Sequence, residues 1–292
     1  MKKTLLLLTL LYLSVSVSAQ SITKSFPVKD IQGITASSIF DIELTKSGVE
    51  SVVVMADKEA MPFIEAKVVM GQLNLKLNTG GMPRSLRRDI GSIKVKVNMS
   101  KELSWLTLSG ASRLVAKSEF TPQSFKAQIS GASSASGLDV SCNDSKISVS
   151  GASNISLTGK VNTADYEFTG ACNAVVSQNI TNLSVECSGA TKLDFTGRVD
   201  KMDVEVSGAS FVKLRGNGDF MKAEVTGASK MNAIEFILNN LDIEVSGVSH
   251  SVVNVQKTME AEVSGGSSLE YKGSPVINKI EVNSVSNIKK IN

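Results

Sequence analysis

One short phrase, Ser-Gly-Ala-Ser in its clearest form, returns along this chain at a nearly constant interval. Taking its glycine as origin, the register runs through Gly110, Gly131, Gly151, Gly170, Gly189, Gly208, Gly227, Gly247 and Gly265, and ends at Ser284 in a degenerate Asn-Ser-Val-Ser. The interval varies only from 18 to 21 residues and is most often 19. Units this short stack one on another, so the period announces a solenoid. A propeller blade needs about 40 residues and does not suit this interval.

The columns of the repeat identify its type. Two residues before the glycine stand Leu108, Ile129, Val149, Phe168, Cys187, Val206, Val225, Val245, Val263 and Val282. Four before stand Leu106, Ala127, Ile147, Tyr166, Val185, Val204, Ala223, Ile243, Ala261 and Ile280, with polar residues between. That alternation is the period of a half-buried strand. It resumes after the glycine, with Leu114, Ile155, Leu193, Val212, Met231 and Ile288 at plus four. A second glycine, as at Gly159, Gly197, Gly216 and Gly273, marks another corner. The expected fold is all-β: a right-handed parallel β-helix of about ten 19-residue coils, its hand taken from the crossover rule. Ten coils at roughly 4.8 Å per rung make a rod about 45–50 Å long.

The serine of the phrase is a structural residue on this reading. The plus-two column is Ser112, Ser133, Ser153, Cys172, Thr191, Ser210, Ser229, Ser249, Ser267 and Ser286. A nucleophile needs one serine in a unique setting, and this column offers equivalent ones. If these side chains point inward, their hydroxyls must bond to one another or to the backbone of the corner.

Residues 20–104 keep strand character without the period, in FDIEL, SVVVMA, LNLKL and IKVKVN. ITASSIF at Ile34–Phe40 resembles a degenerate LSGASRL, so a first coil is expected there. The least regular stretch, Asn78 to Gly91, carries Arg84, Arg87 and Arg88, a candidate site for an anionic sugar or lipid on what is otherwise a solvated loop. Ahead of all this, MKKTLLLLTLLYLSVSVSA has a basic start, an apolar run and small residues at Val17 and Ala19, the pattern of a secretory signal peptide. The organisation is thus a signal peptide at 1–19, a β-rich N-terminal part at 20–104 and the repeat β-helix at 105–292.

The net charge is +3, and about +1 without Lys2 and Lys3, so no large field steers the chain to nucleic acid. No later run is long and apolar enough to span a membrane as a helix. The three cysteines, Cys142, Cys172 and Cys187, leave at least one free thiol in an exported protein. Cys172 and Cys187 are expected as buried thiols, and Cys142, in a longer loop, as the more exposed one.

The opening FPVKDIQGI and the stretch SSIFDIELTKSGVESVVVMADKEAMPFIEAKVVMGQLNLKL resemble the amino-terminal half of the head GIN domain family of auto-transporter adhesins. The SGAS rungs resemble its carboxy-terminal half, so the likeness covers most of the chain from about Phe26. The resemblance implies an exported β-helical fold and a surface or adhesive role, and it brings no catalytic residues. An autotransporter needs a membrane barrel after its passenger, whereas this chain is still in repeat register at Asn292, so self-transport is not expected.

The column three before the glycine is the least demanded by folding. It reads Glu167, Glu186, Glu205, Glu224, Glu244, Glu262 and Glu281 on seven consecutive rungs. Two unit charges at rung spacing repel by roughly 0.9 kcal/mol in water and about 3–4 kcal/mol at an effective dielectric of 20. Such a ladder must be well hydrated, paired or cation-bound. Two residues earlier, Asp203 and Asp242 deepen the acidity and Lys222 and Lys279 can relieve it. A solvated face whose like charges discourage sheet stacking is the plain reading. The sharper one is weak Ca²⁺ binding by Asp203, Glu205, Glu224, Asp242 and Glu244, although a flat strand face does not readily wrap six to eight oxygens round the ion.

No other cofactor is expected. The one histidine, His250, falls in a variable outward column, and no metal-ligand pattern repeats. The expected function is that of an exported, non-enzymatic binding scaffold in the periplasm, on the outer surface or secreted, with a glycan or a cell-surface protein as partner. Two alternatives stay open: a polysaccharide lyase or hydrolase using the acidic face, by analogy of fold alone, and a structural envelope protein, monomeric or joined end to end as a homo-oligomer.

Overall fold

The computed structural model describes residues 21–283 and 285–292. The signal-peptide reading of residues 1–19 and the degenerate corner at Ser284 lie outside them. The described chain is nearly all strand, with a 3-10 turn at Met61–Phe63 and one short helix at Arg84–Asp89.

From Trp105 onward the expected coils are present. Each rung pairs in parallel with the next, and over the five residues before the corner glycine the register matches the sequence columns, while bulges shift it elsewhere, as between Lys213 and Arg215 and between Ala233 and Ile237. Glu167 lies opposite Glu186, Glu186 opposite Glu205, and Glu205 opposite Glu224. The inward columns form one continuous core in which Val204, Val206, Val225 and Val245 are shielded from solvent. Burial of each such side chain contributes roughly 1.5–3 kcal/mol before the entropy of ordering is subtracted.

The two corners of a coil differ. At the second, marked by Gly159, Gly197 and Gly216, the backbone bends without leaving its ladder, so Asn154–Gly170 and Asn173–Gly189 each run as one 17-residue strand. At the first, the Ser-Gly-Ala corner, the ladder is interrupted. Gly208 there has φ +74°, and a Cβ on it would stand 2.5 Å from the carbonyl oxygen of Gly189 on the rung below. That same carbonyl accepts the N–H of Ala209 at 2.7 Å and lies 3.4 Å from Ser210 Oγ, which donates to it. The arrangement recurs up the stack at Ser153, Ser229 and Ser249, each 3.3 Å from the corner-glycine carbonyl of the preceding rung. From Ser112 to Ser267 the plus-two hydroxyls are buried and bonded to backbone, Ser267 Oγ by accepting the Ser249 N–H, so these are structural rather than nucleophilic groups, while the terminal Ser286 is half-buried and donates to the Gly265 carbonyl at 3.1 Å.

The N-terminal part is not a separate layer. Gly33–Ser38 and Phe40–Lys46 form a coil onto which Trp105–Gly110 and Arg113–Ala116 stack in parallel. Ser38 occupies the corner-glycine position at φ 112°, opposite Gly110, so the degenerate ITASSIF is a true rung. On the other side of this coil lie Gln72–Leu77 and Ile93–Met99, also parallel to it. The spatial order therefore departs from chain order. The rung formed by residues 72–99 lies below the coil formed by residues 33–46, which lies below the rung formed by residues 105–116. Antiparallel strands close the end of the stack: Ser51–Asp57 on Ile93–Met99, Ser21–Phe26 on Ser51–Asp57, and Ile64–Val69 on Gln72–Leu77.

Glu50 fastens this closure. Its carboxylate accepts the backbone N–H of Ile31 at 3.2 Å and the Ser100 hydroxyl at 2.9 Å, together with the N–H of Asp30, and so joins three loops. Burial opposes its ionisation, but the Ser100 and backbone hydrogen bonds outweigh it and hold the carboxyl below the ordinary 4.5. A depressed carboxyl stabilises the fold above its unfolded pKa, and this contribution is lost as the pH falls through the folded value.

Two measurements follow. Gly208→Ala is expected to cost about 1–3 kcal/mol in urea denaturation from the left-handed backbone alone, and more from the contact with Gly189, whereas Gly48→Ala, with nothing within 4 Å, stays within about 0.5 kcal/mol of wild type. Glu50→Gln is expected to lower the melting temperature at pH 7 and to flatten the loss of stability that wild type suffers below about pH 4.5. Parallel melting-temperature curves from pH 6 to 3 would refute the clasp.

Candidate functional site

The stack sorts its outward residues by side. The side before the Ser-Gly-Ala corner carries the glutamate ladder, in unbroken register from Glu167 to Glu281. Among the described residues, Lys279 bridges Glu281 at 3.0 Å and Glu262 at 3.9 Å, and Lys146 bridges Asp165, while Glu186, Glu205, Glu224 and Glu244 have no such ion pair. Asp203 and Asp242 lie on either side of Lys222 in the adjoining column, so they do not meet. No group of three or more His, Cys, Asp or Glu side chains converges as a metal site among the described residues.

The side after the corner is basic around an exposed aromatic. Phe211 lies between Lys192 and Lys230 on successive rungs, with Lys213 and Arg215 beyond it on the same strand. Two of these cations are already engaged, Arg215 with Asp194 at 2.7 Å and Lys213 with Glu235 at 3.6 Å. His250 stands on this side, its Nδ1 2.6 Å from Ser268 Oγ, which engages it locally.

Two hollows adjoin at the second corner. One, of about 360 Å³, has Val161 and Ile180 in its lining together with the polar side chains of Lys160, Asn162, Asn179, Arg198 and Asp200. The other, of about 380 Å³, has an apolar floor of Ala164, Leu183 and Met202 closed by Phe220, and a rim of Asp165, Lys201, Asp203 and Lys222. Asn162 and Thr163, Thr181 and Asn182, and Asp200 and Lys201 are chain neighbours on three successive rungs, so the hollows form one groove.

The groove rests on a rigid base. Beneath it Gln178 replaces the second-corner glycine and is buried. Tyr166 Oη donates to Gln178 Oε1 at 2.8 Å and lies 3.3 Å from Ser145 Oγ, while Gln178 Nε2 donates to the Thr158 carbonyl at 3.3 Å. Burial pushes the Tyr166 phenol far above its ordinary value, so it stays neutral. Above this base, Arg198 is fixed by its side-chain bond to Asp200 at 2.9 Å and by the hydrogen bond from its N–H to Asn179 Oδ1, also 2.9 Å.

The sequence reading did not pick out this groove. Its signal was Phe220, an aromatic in an outward column between Lys201 and Asn240, 40% exposed. Asp203 is the one residue shared by the groove and the earlier candidates. Arg84, Arg87 and Arg88 lie elsewhere, on the six-residue helix inserted where the neighbouring coil makes its corner with Ser38 and Ile39. Arg87 donates to the Met82 carbonyl at 3.0 Å and so serves its own loop, whereas Arg84 and Arg88 are exposed. All three cysteines are free. Cys172 and Cys187 are buried, with the Cys187 thiol pushed up to about 12 by burial, and Cys142 begins a strand rather than lying in a loop. Burial raises the Cys142 thiol to about 11, which suppresses its thiolate.

Two solved structures share this architecture along nearly their whole length. One is a "putative adhesin" from Parabacteroides distasonis, at TM-score 0.53 and 18% identity over 94% of this chain and 98% of that one. The other is a "putative adhesin" from Parabacteroides merdae, at TM-score 0.55 and 15% identity with the same coverage. At these identities the likeness is one of fold. No curated protein matches the sequence. A family model matches residues 30–178 and 166–275, which together take in most of the closed end, the ladder as far as Glu262 and the groove, and the chain therefore belongs to the family described as "Putative auto-transporter adhesin, head GIN domain".

Proposed function

We propose that this protein is an exported, non-enzymatic surface-binding scaffold that takes an extended glycan along the second-corner groove. The observation that carries this is the pairing of an exposed aromatic wall, Phe220, with an apolar floor and a rim of carboxylates, amides and lysines repeated on successive rungs. A pyranose ring has an apolar C–H face and a rim of hydroxyls, and this surface offers a partner to each. Ligand sites commonly combine an apolar lining with a few fixed polar groups. Rungs about 4.8 Å apart place different polar side chains, Asp165, Ser184, Asp203 and Lys222, at equivalent positions, at a pitch comparable with the length of one sugar unit. Membership in a family described as adhesins supports a binding role at a surface.

The groove is less suited to hydrolysis. Asp165 and Asp203 lie two rungs apart, roughly 9–10 Å, at or beyond the upper limit for a carboxylate pair that inverts a glycoside. Asp165 is also engaged by Lys146, and its side chain is 54% exposed.

A glycan array probed with the full chain tests the proposal. Binding to a defined glycan class is expected, with Phe220→Ala weakening it at least tenfold, about 1.4 kcal/mol, and Glu205→Gln/Glu224→Gln leaving it unchanged. Absence of any glycan hit, or a hit indifferent to Phe220, would overturn the reading. Release of reducing ends or unsaturated uronic acid from a bound glycan would replace it with the enzymatic one.

A further inference from the structure

The two ends of the stack are finished differently. At the N-terminal end the core is covered, and Ile31, Met99 and Leu103 have no exposed surface. Two strands there pair on one side only, Ser21–Phe26 with the mostly polar sequence SITKSF, and Ile64–Val69 with the outward charges Glu65 and Lys67. At the other end the last described rung consists of Val276–Val282 and Asn287–Lys290. Each of these strands pairs on one side only, with His250–Val263 and Ser268–Gly273 respectively. All seven residues of Val276–Val282 are exposed. Ile280 and Val282 sit over Ala261 and Val263 in the inward columns, yet they are 43% and 45% exposed, and no described residue covers them. An apolar core and an open row of backbone donors and acceptors thus end at the same surface, a ready template for another strand.

We infer that this end is an interface with a second copy of the chain, joined tail to tail by antiparallel pairing of the two Val276–Val282 strands about a twofold axis at Ile280. The charges select this register. Side chains directly opposite in an antiparallel pair lie on the same face. Lys279 already bridges Glu281 and Glu262 of its own chain, and with Ile280 opposite its own copy it also lies opposite Glu281 of the second copy, and Glu281 opposite its Lys279, so the pairs become one outer-face network of alternating charge. Asn278, at the bulge where Ile277 rather than Asn278 lies over Met259, stands opposite Val282, and the two Ile280 side chains meet on the axis, so the two cores become one. Pairing onto the other end is disfavoured because that end offers a closed core and edge strands that carry Lys24 on one and Glu65 and Lys67 on the other, with Ile64 and Ala66 already buried. The contact is therefore isologous and stops at two copies rather than growing into a fibre. Lys289 and Lys290, both exposed, guard the neighbouring strand against the same pairing.

Sedimentation velocity on the full chain, from micromolar to sub-millimolar concentration, tests this. The unmodified protein is expected to pass from monomer to dimer. K279E sets acid against acid in both cross-strand pairs, and E281K sets base against base, so each variant alone is expected to dimerise at least tenfold more weakly. Mixed together, the two are expected to restore a dimer, because one strand then carries two acids and the other two bases. Far-UV circular dichroism and melting curves check that each variant is folded, and Ile280→Lys removes the dimer by a second route. An unmodified protein that stays monomeric, assembly beyond a dimer, or single variants that dimerise as well as wild type would each overturn the inference.

Discussion

The structure depends on the close approach of one corner to the next. At each Ser-Gly-Ala corner the glycine takes a left-handed conformation, and its carbonyl meets the rung above without room for a Cβ between them. That carbonyl receives both the following rung's N–H and its plus-two hydroxyl. The contact sets the rung spacing, and the rung spacing aligns every column. The purity of the inward columns and the regularity of the outward ladder both follow. A slip of one residue would turn the core side chains outward, so the register carries a high cost of error.

Because folding uses only the inward columns and the corners, the outward columns are free to vary, and their pattern is where function can be read. On the middle rungs the glutamate ladder stands before the first corner, and Lys192, Lys213, Arg215 and Lys230 stand after it with Asp194 and Glu235 paired among them. Glutamates at rung spacing repel one another, so this arrangement is not explained by stability. What it supplies is solvation of a long strand face and protection from lateral stacking. The groove at the second corner is different in kind. There the bend brings outward residues of several rungs round a hollow, with an aromatic at one end and a buried Tyr166–Gln178 pair stiffening its base.

Much of this was legible in the residues. The SGAS interval predicted parallel coils, and the period-two columns predicted which side chains are buried, down to Cys172 and Cys187. The serine column was correctly assigned to the backbone of the corner rather than to catalysis. ITASSIF was readable as a rung because Ser38 stands where a glycine stands elsewhere. Less legible was the path between residues 51 and 99. Its strands have ordinary alternation, but nothing in their spacing says that the rung formed by residues 72–99 stacks beneath an earlier coil, because the Asn78–Gly91 insertion hides the period. The groove was missed for a related reason. Thr163, Asn182, Lys201 and Phe220 look like unrelated surface residues until stacking places them in one column on four successive rungs.

Sequence alone determined the repeat, the direction of the strands, the inward and outward columns and the glutamate ladder. Each of these is a local consequence of glycine geometry and of the two-residue period of a strand. The tertiary structure decided the order of the rungs at the N-terminal end, the concavity at the second corner and the contrast between a covered and a bare end. Those features depend on which distant segments come to lie side by side. That is settled by closing the core over the whole stack, not by the preference of any one segment.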